Sequence, residues 1–523
     1  MGATHDSGSV RLAELVATLS LAADLGLGQP MEHCMRQTVI GLRLADLIGL
    51  EEEHRIATYY LGLMRHAYCH ADATEQAKWF GDDINFKAAA SELADLNAAQ
   101  MVSLFLRQVA STGTGIDRAR RVATFPLSGN KLFATFLMTH SALAAQFAER
   151  VELPEAVQTA ILEGFEQWDG KGEPNHVAGE ELSPAARLVT LASAVEVYGR
   201  TRGVEAAREM ARRQRGRQFE PALVDLFDAN AAEVLDEIGA AGSWDAVLAA
   251  EPGLSRQIGG EQLDEALEAM ADLVDLKSPQ FAGHSRGVAK LVEAAGRVSG
   301  LPEEELIALR RAALLQDLGR LGVSNAIWDK PGPLSEADRE RVRLHPYLTD
   351  RMLAGVPALA RSRELAARHH ERIDGSGYPR GVAAAALSPA DRLLASADCY
   401  HAMTEPRAHR AAMAPDEAAN ALRAEAKAGR LDGAAVDAVL KAAGHKAPAR
   451  REWPAGLTAR EVEVLGLLAR GLSNKEIAGR LTVTPKTASN HVEHVYLKLG
   501  VSTRAAATLF ATEQGLVGSF EPA

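Results

Sequence analysis

The chain has 523 residues, too many for one hydrophobic core, so roughly two to four domains are expected. Hydrophobic residues make up 47%, charged residues 24% and aromatics only 5%, a balance that favours helix over sheet. The formal charge of −12 excludes a protein that coats nucleic acid without preference. There is no long apolar run and no basic start leading into a cleavage site. A cytoplasmic protein with no membrane partner is therefore expected. The three cysteines, Cys34, Cys69 and Cys399, are too widely spaced for a zinc site or a disulfide framework.

In chain order, the first predicted helical segment is VIGLRLADLIGL (39–50), with apolar residues at helical intervals. MRHAYCHADA (64–73) follows, rich in histidine and cysteine but matching no metal-ligand spacing; surface or packing roles are expected for it. GFEQWDGKGEP (164–174) then has a counterpart 205 residues later, HHERIDGSGYP (369–379). At the same offset LSPAARLV (182–189) meets LSPADRLL (387–394), and His140 meets His345. An offset of 251 aligns His33 with His284 and His66 with Asp317. The change of offset implies 46 extra residues in the first copy, between His66 and His140. These ordered matches predict a duplicated helical domain, copy one over 10–245 and copy two over 262–444. Residues 241–260 connect the copies, and GHKAPARREWPAG (444–456) reads as a linker. No strands are predicted.

Copy two contains ALRRAALLQDLG (308–319), a helical segment, and LSPADRLLASADCYHAM (387–403), whose Ser-Pro start suits a helix N-terminus. It gathers His284, Asp317, His345, His369, His370 and Asp398. Imidazole and carboxylate suit divalent transition metals, and a bridging carboxylate can hold two metals close enough for phosphodiester hydrolysis. QDLGR (316–320), DKPGPLSEADRERVRLHP (329–346), HHERIDGSGYPRG (369–381) and the stretch after Asp391 together resemble the HD superfamily of helical metal-dependent phosphohydrolases, in its HD-GYP branch. The resemblance implies iron or manganese at those six residues, cyclic di-GMP or another nucleotide as ligand, and catalytic roles for Asp317 and Arg320. Three positions depart from the pattern. Gln316 stands where the family has a histidine, Arg320 where it has a lysine, and Gln280 where trinuclear members have a glutamate. Gln316, a poor neutral ligand, is expected to weaken any phosphodiesterase. Glycines 375 and 377 also have a ligand-free explanation, a tight backbone turn.

Copy one keeps His33 and His140, but has His66 for the aspartate, Gly164-Phe165 for the histidine pair and Ser193 for the late aspartate. Phe165 suggests a site filled with packing material, so a non-catalytic scaffold, dimer surface or sensory pocket is expected.

From Arg451 onward there are 8 Lys and Arg against 7 Asp and Glu, so the tail escapes the acidity of the body. LTAREVEVLGLLARG (457–471) is an amphipathic helix capped by Thr458 with Glu461 as its capping partner. LSNKEIAGRL (472–481) is a second short helix, and a third begins at Thr484-Pro485. Lys486, Thr487, Asn490 and His491 form a polar face at the start of the third helix, with Lys498 further along; Val492, Val495, Leu497 and Leu499 read as packing residues. LTxRExxVL, GLSNKEIA, PKTxxxH and KLGVxxR, at 457–465, 471–478, 485–491 and 498–504, resemble the LuxR-type C-terminal DNA-binding domain. That resemblance implies double-stranded DNA as a partner and a homodimer. The expected architecture is all-α: two tandem HD-like domains followed by a helix-turn-helix domain over 457–516. The expected function is a DNA-binding transcriptional regulator whose body senses a metal, nucleotide or partner. The alternative is a metal-dependent cyclic di-GMP phosphodiesterase that carries a DNA-binding domain.

Overall fold

The computed structural model describes residues 8–91, 135–236, 243–253, 255–445, 453–514 and 516. Residues 92–134 of the long stretch between His66 and His140, and 446–452 of the expected linker, lie outside the described residues. The chain divides into two compact units, Met1–His445 and Lys446–Ala523.

The first unit consists of two helical lobes that repeat each other's local devices. In copy one the backbone amide of Cys34 donates to Asp24 Oδ1 (3.1 Å); in copy two that of Ser285 donates to Asp275 Oδ2 (3.0 Å). The helices His33–Leu47 and His284–Val298 are both entered through a left-handed residue, Glu32 and Gly283, each at φ 79°. Ser183 and Ser388 cap the helices Pro184–Arg202 and Pro389–Thr404, as the Ser-Pro signal predicts. The glycine-rich turns also match. Gly170 and Gly375 have φ of 71° and 80°. A Cβ on Gly172 or Gly377 would strike the backbone at Glu166 or Glu371. Buried Glu166 and Glu371 tie their turns by accepting from the amides of Asn175 (2.6 Å) and Arg380 (2.8 Å). The turn is thus a backbone device with its own reason to keep its glycines.

Strands were not expected, yet Ser9–Arg11 pairs antiparallel with Gln257–Gly259, Val10 opposite Ile258. These are the segments that lead into the first helix of each lobe. Among the described residues neither has a partner strand inside its own lobe, and each satisfies backbone groups on the other. The lobes then exchange further contacts. Helix Leu12–Gly26 of copy one packs on the turn Leu318–Gly322 of copy two. In return His70 of copy one meets the carbonyl of Leu273 through Nε2 (2.7 Å). One apolar core runs through both lobes, from Leu12 and Leu61 to Leu315 and Leu394. Ile40, Leu188 and Phe227 belong to a smaller core in copy one.

The second unit has helices Ala459–Ala469, Asn474–Arg480, Pro485–Leu499 and Arg504–Glu513. Thr458 with Glu461, Ser473 with Glu476, and Thr484 followed by Pro485 start the first three. Gly500, left-handed at φ 63°, ends the third. Val462, Leu465, Ile477, Val492 and Val495 form its core, and Ala488 fills its place there fully buried. Leu497, expected to pack, is instead 81% exposed. It follows Val495 by two residues, which turns it about 200° around the helix, away from the core. No helix among the described residues is long and apolar enough to cross a membrane.

Gly62 lets helix Glu52–Met64 lie directly on Thr38 of the neighbouring helix, since a Cβ there would strike the Thr38 side chain and backbone. Gly62→Ala should destabilise the body by about 1–3 kcal/mol through overpacking, read as a lower midpoint in thermal or urea unfolding. An unchanged midpoint would show that these helices can separate at no cost.

Candidate metal centre and DNA-recognition helix

All six predicted ligands of copy two come together, each from the end of an element or a helix face. His284 opens helix His284–Val298, and Asp317 lies just past the end of helix Glu303–Leu315. His345 opens helix His345–Met352, and Asp398 lies inside Pro389–Thr404. His369 and His370 follow helix Ala360–Ala366, delivered by the turn that Glu371 ties.

His345, His369 and His370 place their ligand atoms within 4.8 Å of one another. His345 Nδ1 donates to the Val342 carbonyl (2.6 Å), and His369 Nδ1 donates to the Ala366 carbonyl (2.7 Å). Their Nε2 atoms face each other at 3.1 Å. With both protons committed to backbone carbonyls, two lone pairs point at one spot, an arrangement that a cation satisfies. Burial pushes His345 down to about 3 and lowers His369 and His370 as well, so all three are neutral imidazoles ready to ligate. Asp317 Oδ1 lies 3.5 Å from His345 Nε2 and 3.7 Å from His369 Nε2. Both Asp317 oxygens are buried without a well-directed hydrogen bond. These residues fit a divalent metal.

His284 occupies the other side. Its Nε2 lies 3.2 Å from Asp398 Oδ1 and 3.6 Å from Asp317 Oδ2. Its Nδ1 lies 2.8 Å from Glu405 Oε2. Burial opposes charge on His284, but hydrogen bonds to Asp398 and Glu405 outweigh it and lift its pKa to about 9. His284, His401 and Glu405 form a second candidate triad. Gly287 makes room for the His401 ring, since a Cβ there would overlap it. His401 and Glu405 were not among the expected residues. They follow Asp398 by three and seven positions, so helical spacing was the signal that could have found them.

The expectation that Gln316 weakens the centre is overturned. Both triads assemble from histidines and a glutamate without using residue 316. Gln316 is buried, and its amide donates to Asp398 Oδ1 (3.3 Å), so it orients a carboxylate of the cluster.

A cavity of about 760 Å³ opens over this cluster. Phe281, Trp328, Arg320 and Arg407 line it, with His345, His370 and Asp398 at its base. Two guanidiniums lie over the Phe281 ring, Arg320 at 4.5 Å and Arg407 at 5.0 Å from its centroid. Arg320 also pairs with Asp317 Oδ2 at 2.9 Å.

Copy one is arranged differently. His33 Nδ1 pairs with Glu196 (2.6 Å) and His140 Nε2 with Asp72 (2.8 Å). The Phe165 ring lies 6.0 Å from that of His66 and 6.5 Å from that of His140. Among the described residues, both clusters able to hold a metal lie in copy two.

In the tail, Lys486 and Asn490 are exposed on helix Pro485–Leu499, while Thr487 and His491 are half-buried. Thr487 shares a hydrogen bond with the Thr484 hydroxyl (2.8 Å). Lys498 is exposed but engaged, donating to Glu461 (2.6 Å) and to the Gly456 carbonyl (3.1 Å).

A family model described as the HD domain matches residues 127–223 and 268–435. A 3′3′-cGAMP-specific phosphodiesterase of Vibrio cholerae is 30% identical over 411 residues, which is 78% of this chain and 89% of that protein. The chain belongs to the HD-domain family. Its C-terminal residues 455–511 match the luxR family of bacterial regulatory proteins, so an HD-type body is fused to a LuxR-type helix-turn-helix domain. A cyclic di-GMP phosphodiesterase response regulator of Xanthomonas campestris is 33% identical over 192 residues, 35% of this HD-domain chain and 48% of that one. The crystal structure of a cyclic GMP-AMP specific phosphodiesterase of V. cholerae superimposes with a TM-score of 0.58 at 26% identity, covering 84% of this chain and 99% of that one.

A His369→Ala/His370→Ala variant should retain much less divalent metal after dialysis than the wild type, measured by elemental analysis. Equal metal content in the two proteins would exclude these histidines as ligands.

Proposed function

We propose that the chain is a metal-dependent phosphodiesterase of cyclic dinucleotides that also binds DNA through its tail. The observation that carries this reading is the pair of facing Nε2 atoms of His345 and His369, set beside Asp317 beneath a cavity walled by arginines. The similarity to phosphodiesterases supports the substrate class, with 3′3′-cGAMP as the first substrate to try and cyclic di-GMP as the second.

In this reading His345, His369, His370 and Asp317 hold iron or manganese, and His284 with Asp398 completes the centre. A bound divalent metal supplies Lewis acidity toward the phosphoryl group and an acidified water. The protein supplies the rest. Neutral His345 and His369 keep their Nδ1 protons on backbone carbonyls, which fixes ring orientation. Arg320, stacked on Phe281 and paired to Asp317, brings a fixed positive charge to the phosphate side. Cavity walls of Phe281 and Trp328 offer apolar surface to a purine.

With manganese or iron(II), the full chain should linearise 3′3′-cGAMP, followed by chromatography of the products. Asp317→Asn should lower kcat/KM at least about 100-fold by removing charge from the metal ligands. Metal-loaded wild type that leaves both dinucleotides intact would sink the enzyme reading.

The LuxR-type tail supports a regulatory role alongside hydrolysis. On this reading Lys486 and Asn490 contact bases or phosphates, and a homodimer is the DNA-binding form. Replacing both by alanine should weaken specific DNA binding at least about tenfold with the tail still folded, as measured by mobility shift and circular dichroism. Unchanged affinity and sequence preference would move the recognition surface elsewhere.

A further inference from the structure

Copy one lacks a metal cluster among its described residues, yet one of its side chains lies at the foundation of the copy-two cavity. Asp83 opens helix Asp83–Ser91 and is wholly buried. Its Oδ2 receives Lys87 (3.1 Å) from its own helix and Lys277 (3.0 Å) from copy two. Its Oδ1 receives the Ser324 hydroxyl and the Asn325 amide of copy two, both at 2.8 Å. Lys277 is also wholly buried, and burial pulls it down to about 8. Thr74 of copy one joins the same network. It accepts from Asn325 Nδ2 (2.9 Å) and donates to Asp329 (2.8 Å), which also accepts from Ser278 (2.7 Å).

The copy-two residues held here form two short segments. Lys277 and Ser278 lead directly into the turn Pro279–Phe281. Ser324 caps the one-turn helix Asn325–Trp328. Their far ends are Phe281 and Trp328, whose rings meet edge to face at 5.5 Å and line the cavity. Arg320 lies against both rings, and the Trp328 indole nitrogen donates to the Arg320 carbonyl (3.3 Å). Trp328 also meets the ring of His345 edge to face at 6.0 Å. Four residues at most separate the buried charge from each aromatic side chain.

We infer that Asp83 of copy one is a positioning residue for the copy-two site, pinning both feet of the Phe281–Trp328 wall and through it Arg320. A lobe with no metal cluster among its described residues thereby sets the shape of its neighbour's cavity. A buried carboxylate that satisfies two ammonium groups and two hydrogen-bond donors cannot be exchanged for water without leaving those groups orphaned. The kinetic consequence rests on the phosphodiesterase reading; the structural one does not.

Asp83→Asn in the full-length protein keeps the shape and removes the charge, while Ser324→Ala removes two hydrogen bonds, the donation to Asp83 and the cap to the Ala326 amide, and is expected to fold normally. Hydrogen–deuterium exchange should rise about tenfold or more in peptides covering 277–281 and 324–330 of the Asp83→Asn protein, and less in Ser324→Ala. In metal-loaded enzyme, KM for 3′3′-cGAMP should rise about tenfold with kcat changed much less, and bound manganese should stay at the wild-type level. If Asp83→Asn does not fold, the smaller effects of Ser324→Ala carry the comparison. Wild-type exchange in both peptides of a folded Asp83→Asn protein would overturn the inference, as would raised exchange with unchanged KM. A wild-type protein that hydrolyses nothing would defeat the phosphodiesterase reading, and the exchange comparison would still decide whether Asp83 holds the wall.

Discussion

Two imidazole nitrogens with no proton between them govern the copy-two lobe. His345 and His369 each give their Nδ1 proton to a carbonyl in the preceding turn, so Nε2 of both is an acceptor, 3.1 Å apart. Lone pairs at that distance repel unless something positive lies near them. The surrounding structure is organised around this demand. Asp317 brings negative charge to the same spot, burial keeps the rings neutral, and the tied turn at Glu371 holds the His369–His370 pair in place.

Around that centre the positive charge is held by stacking as much as by ion pairing. Arg320 and Arg407 both lie against the Phe281 ring, and each also reaches a carboxylate, Asp317 for one and Glu405 for the other. A guanidinium held on an aromatic face loses little further freedom when it meets an anion. The wall carrying Phe281 and Trp328 stands in turn on a buried network built by both lobes. The two copies have therefore diverged in chemistry while remaining one mechanical unit with a shared core.

Much of this was legible from residue order. The two offsets of the repeat correspond to real equivalences, Asp24 with Asp275 and Gly172 with Gly377, because backbone turns and helix entries depend on local geometry that a motif records. The tail was legible for the same reason, its caps at Thr458 and Thr484 lying where the sequence places them. Leu497 was misread because hydrophobicity alone does not say which side of a helix faces a core. Gln316 was misread because a single ligand position was weighed without knowing which side chains converge. His401 lies on the same helix as Asp398 and Glu405 just past its end, and the family pattern did not point to them.

By itself, the sequence determined the helical class, the duplication, the six copy-two residues that meet, and the helix-turn-helix tail. Each of these is set by periodicity, capping or spacing along a few turns of chain. Tertiary structure alone decided the rest: which imidazole nitrogen faces the centre, that the entry segments of the lobes pair as strands, and that Asp83 lies under Phe281 and Trp328. These depend on contacts between residues up to about 250 positions apart, where buried charges and backbone groups must find partners on another lobe, and no local pattern encodes that meeting.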